Sequence, residues 1–154
     1  MPGWLSRTSR LERRATHAFR LKNYRAAIRS LEELLGHVGE NPNTLHVLGL
    51  CHERLGADET AFEYATRAIS ADAGHFEALR LLIRLHERKD RHDAALALVE
   101  RALACLPPPV GPRGLGRIIR LLSRDDDASL AGYDRELREW IRWARAFMER
   151  KSGV

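Results

Sequence analysis

Two lines of arginine cross in this sequence. Arg20, Arg54 and Arg88 stand 34 residues apart, and Arg80, Arg84 and Arg88 follow one another at intervals of four. An interval of four places the second line on one face of one helix. A guanidinium forks onto a carboxylate through two parallel N–H donors, so a surface carrying both lines would select carboxylates or an acidic segment of another chain. The same arginines can instead offset the negative ends of helix dipoles, with Glu53, Glu77 and Glu87 as neutralising neighbours.

Other chemistry finds no support. His52-Glu53 and His86-Glu87 each open like the metal-binding helix of a zinc protease, which needs a second histidine four residues after the first. Those positions hold Gly56 and Asp90. The histidines are spread over different helices without tight ligand spacing, so no metal is expected. Neither a Gly-rich phosphate loop nor a nucleophile elbow occurs; no cofactor is expected, and the chain reads as a non-enzyme. Cys51 and Cys105 are too few for a disulfide framework and sit among apolar neighbours, where cysteine acts as a small hydrophobe. No stretch approaches the roughly 20 apolar residues of a membrane span, and the N-terminus lacks an apolar signal region. A cytoplasmic protein with no membrane contact is expected.

The net charge of +5 is unevenly distributed. Residues 1–41 carry +4, residues 42–75 carry −3, residues 76–109 carry +1 and residues 110–154 carry +3. A pI near 9.8 can give phosphate affinity. The interleaved acids and the negative middle segment disfavour nucleic acid as the partner.

The elements that would position these residues follow from a period of 34. Leu11, Leu45 and Leu79 fall in one column, Ala27, Ala61 and Ala95 in another, Leu34, Ala68 and Ala102 in a third, and Leu35, Ile69 and Leu103 in a fourth. Apolar residues recur at three and four within each copy, as an amphipathic helix pair requires, and strand-like alternation is absent. The middle copy reads Leu45-x2-Leu48-Gly49-x2-His52, then Ala61-x3-Ala65-x2-Ala68. It resembles the tetratricopeptide repeat, with Leu45 at the place of its Trp and His52 at the place of its Tyr.

The expected fold is all-α, a right-handed α-solenoid of three helix-turn-helix repeats with two extra C-terminal helices. Residues 1–7 form a lead whose Pro2-Gly3 pair argues against helix. Residues 8–109 hold the repeats, at 8–41, 42–75 and 76–109, with turns at Lys22-Asn23-Tyr24, Gly56-Ala57-Asp58 and Asp90-Arg91-His92. Pro107, Pro108 and Pro109 stop the third. Ala15 and Gly49 occupy the close-approach position of the family. Residues 110–154 cap the solenoid: a helix over 113–123 and, after Asp125, Asp126 and Asp127, a longer one to about Lys151.

The resemblance implies a scaffold that holds another polypeptide in a concave groove lined by the first helix of each unit. Carried over by column, the groove shows Phe19 and Arg20, then Asn43, His46, Leu50 and Arg54, then Arg80, Arg84 and Arg88, with Glu12, Thr16, Glu53, Glu77 and Glu87 beside them. The implied partner is an acidic or helical peptide. Charge reversal at Arg84 and Arg88 is expected to abolish its binding while the fold survives. Some family members clamp the terminal carboxylate of chaperone tails with Lys, Asn and Arg; here those columns hold Glu12, Thr16, Val47, Glu77 and Leu81, so that clamp is absent.

The C-terminal helix offers a second surface. Arg135, Arg138, Arg142 and Arg145 form a basic face, and Trp143 lies off the apolar stripe beside Trp140 and Phe147. Trp beside Arg at a polar boundary is a common interface anchor, which points to a homodimer. Alternatively Trp140 and Phe147 seal the last repeat and Trp143 covers its edge. The leading expectation is a peptide-binding adaptor; the alternatives are an oligomerising structural module and a secretion-type chaperone, whose class II members also carry three such repeats.

Overall fold

The computed structural model describes residues 3–104 and 135–153. Among the described residues are seven helices and no strand: α1 (Gly3–Arg20), α2 (Tyr24–Val38), α3 (Pro42–Arg54), α4 (Asp58–Ala71), α5 (Phe76–Arg88), α6 (His92–Ala104) and α7 (Arg135–Ser152). Cys105, the Pro107–Pro109 stop, the helix expected over 113–123 and the Asp125–Asp127 cap lie outside the described residues. The chain forms two compact units, Met1–Leu98 and Val99–Val154, with the division inside α6.

In the first unit α1 packs on α2 and α3 on α4 as hairpins, and the seams α2 to α3 and α4 to α5 join one hairpin to the next. The repeating columns are what these contacts bury. Leu11, Leu45 and Leu79 are buried, and Ala27, Ala61 and Ala95 have no exposed surface. Alanine at a helix crossing lets the axes approach, and Gly49 carries this further. A Cβ at Gly49 would stand 2.9 Å from Leu81 Cδ2 and 3.3 Å from the Ala61 carbonyl oxygen. That glycine admits α4 of its own repeat and α5 of the next.

Helices α2, α3 and α5 start where the sequence supplies a side-chain acceptor for a free N–H group. Asn23 Oδ1 accepts from Ala26 N–H at 3.2 Å, and Asn41 Oδ1 accepts from Thr44 N–H at 3.1 Å ahead of Pro42. His75 Nδ1 accepts from Ala78 N–H at 3.2 Å. Helix α4 has no side-chain cap; Asp58 and Glu59 in its first turn oppose the positive dipole end instead.

The hairpin turns also obey the period. Lys22, Gly56 and Asp90, again 34 apart, all have left-handed backbones, with φ of 57°, 77° and 54°. After each, the next N–H reaches back five residues: Asn23 to Ala18, Ala57 to His52 and Arg91 to His86, at 2.9, 2.9 and 3.0 Å. This is the 6→1 bond that ends a helix through a left-handed residue. Only the middle copy uses glycine there.

The N-terminal lead departs from expectation, because α1 begins at Gly3 rather than near Thr8. Pro and Gly break a helix in its interior, where a lost N–H or added chain entropy counts. At the first residue of a helix, where Gly3 stands, that cost is small. In the second unit, α7 buries Trp140, Ile141, Ala144 and Phe147 along one stripe.

Lys22→Gly removes a left-handed strain, partly offset by glycine's larger unfolded-state entropy, and is expected to raise stability by about 0.5–1 kcal/mol. Gly56→Ala should lower it by a similar amount. Thermal unfolding of both variants against the parent checks the pair.

Candidate functional site

A cleft of about 490 Å³ opens between α1 and α3. Its walls are Glu12, Ala15, Thr16, Phe19 and Arg20 of α1 and Asn43, Thr44, Val47 and Leu50 of α3, with Asn41 between. Its floor comes from α2, through Leu31, Leu34 and Val38. Phe19 is fixed edge-on against Tyr24, ring centroids 5.5 Å apart. Asn43 is fixed by His75, whose Nε2 lies 2.8 Å from Asn43 Oδ1. With His75 Nδ1 already accepting from Ala78, that contact makes Nε2–H the donor. The floor and much of the walls are apolar, and Val38 is 43% exposed.

Of the residues expected from sequence, Phe19, Arg20, Asn43 and Leu50 line this cleft. The three floor residues were not among the expected ones, which lie on the first helix of each unit. Their signal was present: Leu31, Leu34 and Val38 follow one another at three and four on a single face of α2.

Arg80, Arg84 and Arg88 stand on α5, and the structure pairs each of them with a carboxylate of the chain. Glu53, whose side chain is 6% exposed, receives Arg84 through two bonds, Nε to Oε1 at 3.2 Å and Nη2 to Oε2 at 2.9 Å. Arg88 Nη2 also bonds Glu53 Oε1, and its Nη1 bonds Asp58 Oδ1 at 2.8 Å. Lys89 reaches Glu59 Oε1 at 2.7 Å. Arg80 Nη1 lies 3.5 Å from Glu77. The C-terminal end of α5 is thus tied to α3 and to the N-terminus of α4, with the cations and acids placed as the two helix dipoles favour. Arg54 is exposed and has no ion pair among the described residues.

His46 is half-buried in the same seam, its ring 5.3 Å from that of His75. Burial, with His75 and Arg84 nearby, lowers its pKa to about 4, against a smaller opposing effect of Glu53. It is neutral at ordinary pH. His52 stacks on Tyr64 at 5.4 Å and His86 meets Phe62 edge-on at 5.1 Å. Both act as ring fillers, and burial lowers His86 as well, helped by Arg91 and Lys89. Burial pushes the Cys51 thiol up to about 11, so this cysteine is an unreactive core residue.

A family model for the tetratricopeptide repeat matches residues 13–75 and 63–108. The chain belongs to the tetratricopeptide repeat family. Among solved structures, this tetratricopeptide chain is similar to the TPR2B domain of yeast Sti1 in its complex with pHsp70, at 13% identity and a TM-score of 0.59, over 92% of this chain and 98% of that one. It is similar to the Sgt2 TPR domain from Aspergillus fumigatus at 16% identity and a TM-score of 0.61, over 96% and 82%. A MamA RS-1 ArsTM double mutant matches at 19% identity and a TM-score of 0.62, over 93% and 74%. At these identities the likeness is one of fold. No curated protein matches the chain. Within the tetratricopeptide architecture, the α1/α3 cleft lies on the side of the first helices, and the Glu53 cluster lies at the seam between the second and third repeats.

In α7 of the second unit, Trp140 and Phe147 are buried and Trp143 is half-buried, 6.3 and 5.6 Å from their rings. Of the three residues expected to mediate self-association, Trp143 alone keeps substantial open surface. No helix among the described residues is long and apolar enough to cross a membrane.

Two outcomes follow for the seam. Arg84→Glu with Arg88→Glu strands a buried carboxylate among like charges, and is expected to destabilise the fold by about 3–5 kcal/mol in urea unfolding. Because the folded-state pKa of His46 lies below 6.5, its contribution is whole above that pH and is lost as pH falls toward 4. The loss is roughly 3 kcal/mol, and His46→Gln should flatten this limb of the pH–stability curve.

Proposed function

We propose that the chain is a non-catalytic protein-binding scaffold whose α1/α3 cleft holds an apolar-faced helix or extended segment of another protein. The observation that carries this reading is the cleft itself: an apolar floor from α2 and apolar wall residues from α1 and α3, rimmed by Glu12, Thr16, Arg20 and Asn43. A groove of that size and polarity gains most from burying aliphatic or aromatic side chains, at roughly 25 cal/mol per Å² of apolar area removed from water. Amphipathic helices fill such grooves with anchors at three and four.

The partner's acidity carries less weight at this site than its apolar face. Arg84 and Arg88 already meet carboxylates of the chain, and drawing them to an outside acid would leave the buried Glu53 unpaired, at a cost no exposed ion pair returns. Glu12 and Arg20 on the rim are of opposite sign. The fold agrees with the reading: the TPR2B domain of yeast Sti1, built on the same architecture, is a complex with pHsp70.

Selection of a displayed random-peptide library on the intact chain tests this. Recovered peptides should carry apolar residues at spacings of three and four. Leu50→Asp, at a half-buried wall position, should weaken the best of them by about tenfold or more, with the helical circular dichroism retained. Peptides that bind Leu50→Asp and Val38→Asp as tightly as the parent would overturn the assignment.

A further inference from the structure

A row of cations runs along the flank of α1 opposite the cleft. Leu11 and Ala15 are the buried stripe of that helix. Glu12, Thr16, Phe19 and Arg20 lie on one side of the stripe, toward the cleft. Arg7, Arg10, Arg14 and His17 follow at steps of three, four and three along the other side, all exposed. They form a line about 15 Å long.

A depression of about 430 Å³ opens there, lined by Gly3, Arg7, Arg10, Leu11, Arg14 and Glu33. Glu33 of α2 is its one acid and bonds Arg7 Nη2 at 2.9 Å. Arg10 and Arg14 meet no carboxylate among the described residues.

This arrangement works against the helix that carries it. Like charges three or four apart destabilise an isolated helix. The helix as a whole has five arginines against one glutamate. An outside anion supplies the missing compensation, and the guanidinium fork fits a carboxylate in two-point contact.

We propose that this flank of α1 is a second docking surface, distinct from the cleft, for a run of carboxylates on a partner polypeptide, with Arg10 and Arg14 forking onto them. Complementarity of charge is matched by width. The basic strip is one helix flank wide, and Glu33 stands at its α2 edge with Glu32 next to it in the chain. Helix α2 carries Arg25 and Arg29 against Glu32 and Glu33, so it adds no net formal charge. A nucleic-acid duplex or a bilayer surface would spread across both helices and meet those acids. A single row of carboxylates does not.

The test is fluorescence anisotropy with the intact chain and a fluorescein-labelled peptide of alternating Glu and Ala. Binding is expected at low ionic strength, weakening as salt is added. Arg10→Glu with Arg14→Glu should weaken it by about tenfold, equivalent to about 1.4 kcal/mol, with helical circular dichroism retained because both residues are exposed. Arg10→Gln with Arg14→Gln should weaken it in the same direction. Leu50→Asp should leave this affinity unchanged, which separates the surface from the cleft. Unchanged affinity in the double variants, or equal binding of the peptide with Gln for Glu, would overturn the proposal. So would tighter binding of an oligonucleotide or a phosphatidylserine vesicle of matched charge through the same two arginines.

Discussion

A helical hairpin of this length has more apolar surface than its two helices can cover for each other, and the next hairpin must cover the remainder. That constraint explains the composition of the seams. Ala27, Ala61 and Ala95 of the second helices are fully buried, and a methyl there lets neighbouring helices approach closely. Gly49 has no methyl at all, since one would press on the Ala61 carbonyl from its own repeat and on Leu81 from the next. The left-handed turn residues Lys22, Gly56 and Asp90 belong to the same requirement. They reverse the chain within a few residues and bring the second helix back along the first.

Stacking of this kind also decides where charge can stand. At the seam between the second and third repeats a glutamate is buried, and two arginines from α5 neutralise it. Such a cluster adds little net stability compared with well-packed apolar residues, yet losing one partner is costly. Its consequence is geometric. Glu53 on α3, Asp58 on α4 and Arg84 and Arg88 on α5 can meet only when the two repeats sit in one register, so the cluster fixes that register while consuming the cations.

The cleft and the α1 flank are what the stacking leaves over. The first helix of the first repeat keeps two exposed flanks with different chemistry. One faces the apolar floor built by Leu31, Leu34 and Val38. The other presents Arg10 and Arg14, which meet no carboxylate among the described residues, beside the Arg7–Glu33 pair. A single helix can therefore present an apolar site and an electrostatic one, because residues three to four apart share a face and the two sets are out of phase by roughly half a turn.

The sequence by itself determined the repeat, its period, the turn positions and the all-α class, because each of those is a local or periodic property. Helix caps at Asn23 and Asn41, small residues at crossings and apolar spacing of three and four are written within one unit. It also placed Phe19, Arg20, Asn43 and Leu50 on the first helices, where the cleft opens. Which charges remain available was decided only by the tertiary structure. Glu53 and Arg84 are 31 residues apart, and no local pattern says that one will be buried beneath the other. The floor of the cleft was hidden for the same reason: Leu31, Leu34 and Val38 look like ordinary core positions until α1 and α3 are seen to stand apart above them. Periodicity gives the face on which a residue lies. Whether that face meets a neighbour, an ion-pair partner or water depends on contacts across repeats, and these exist only once the hairpins have stacked.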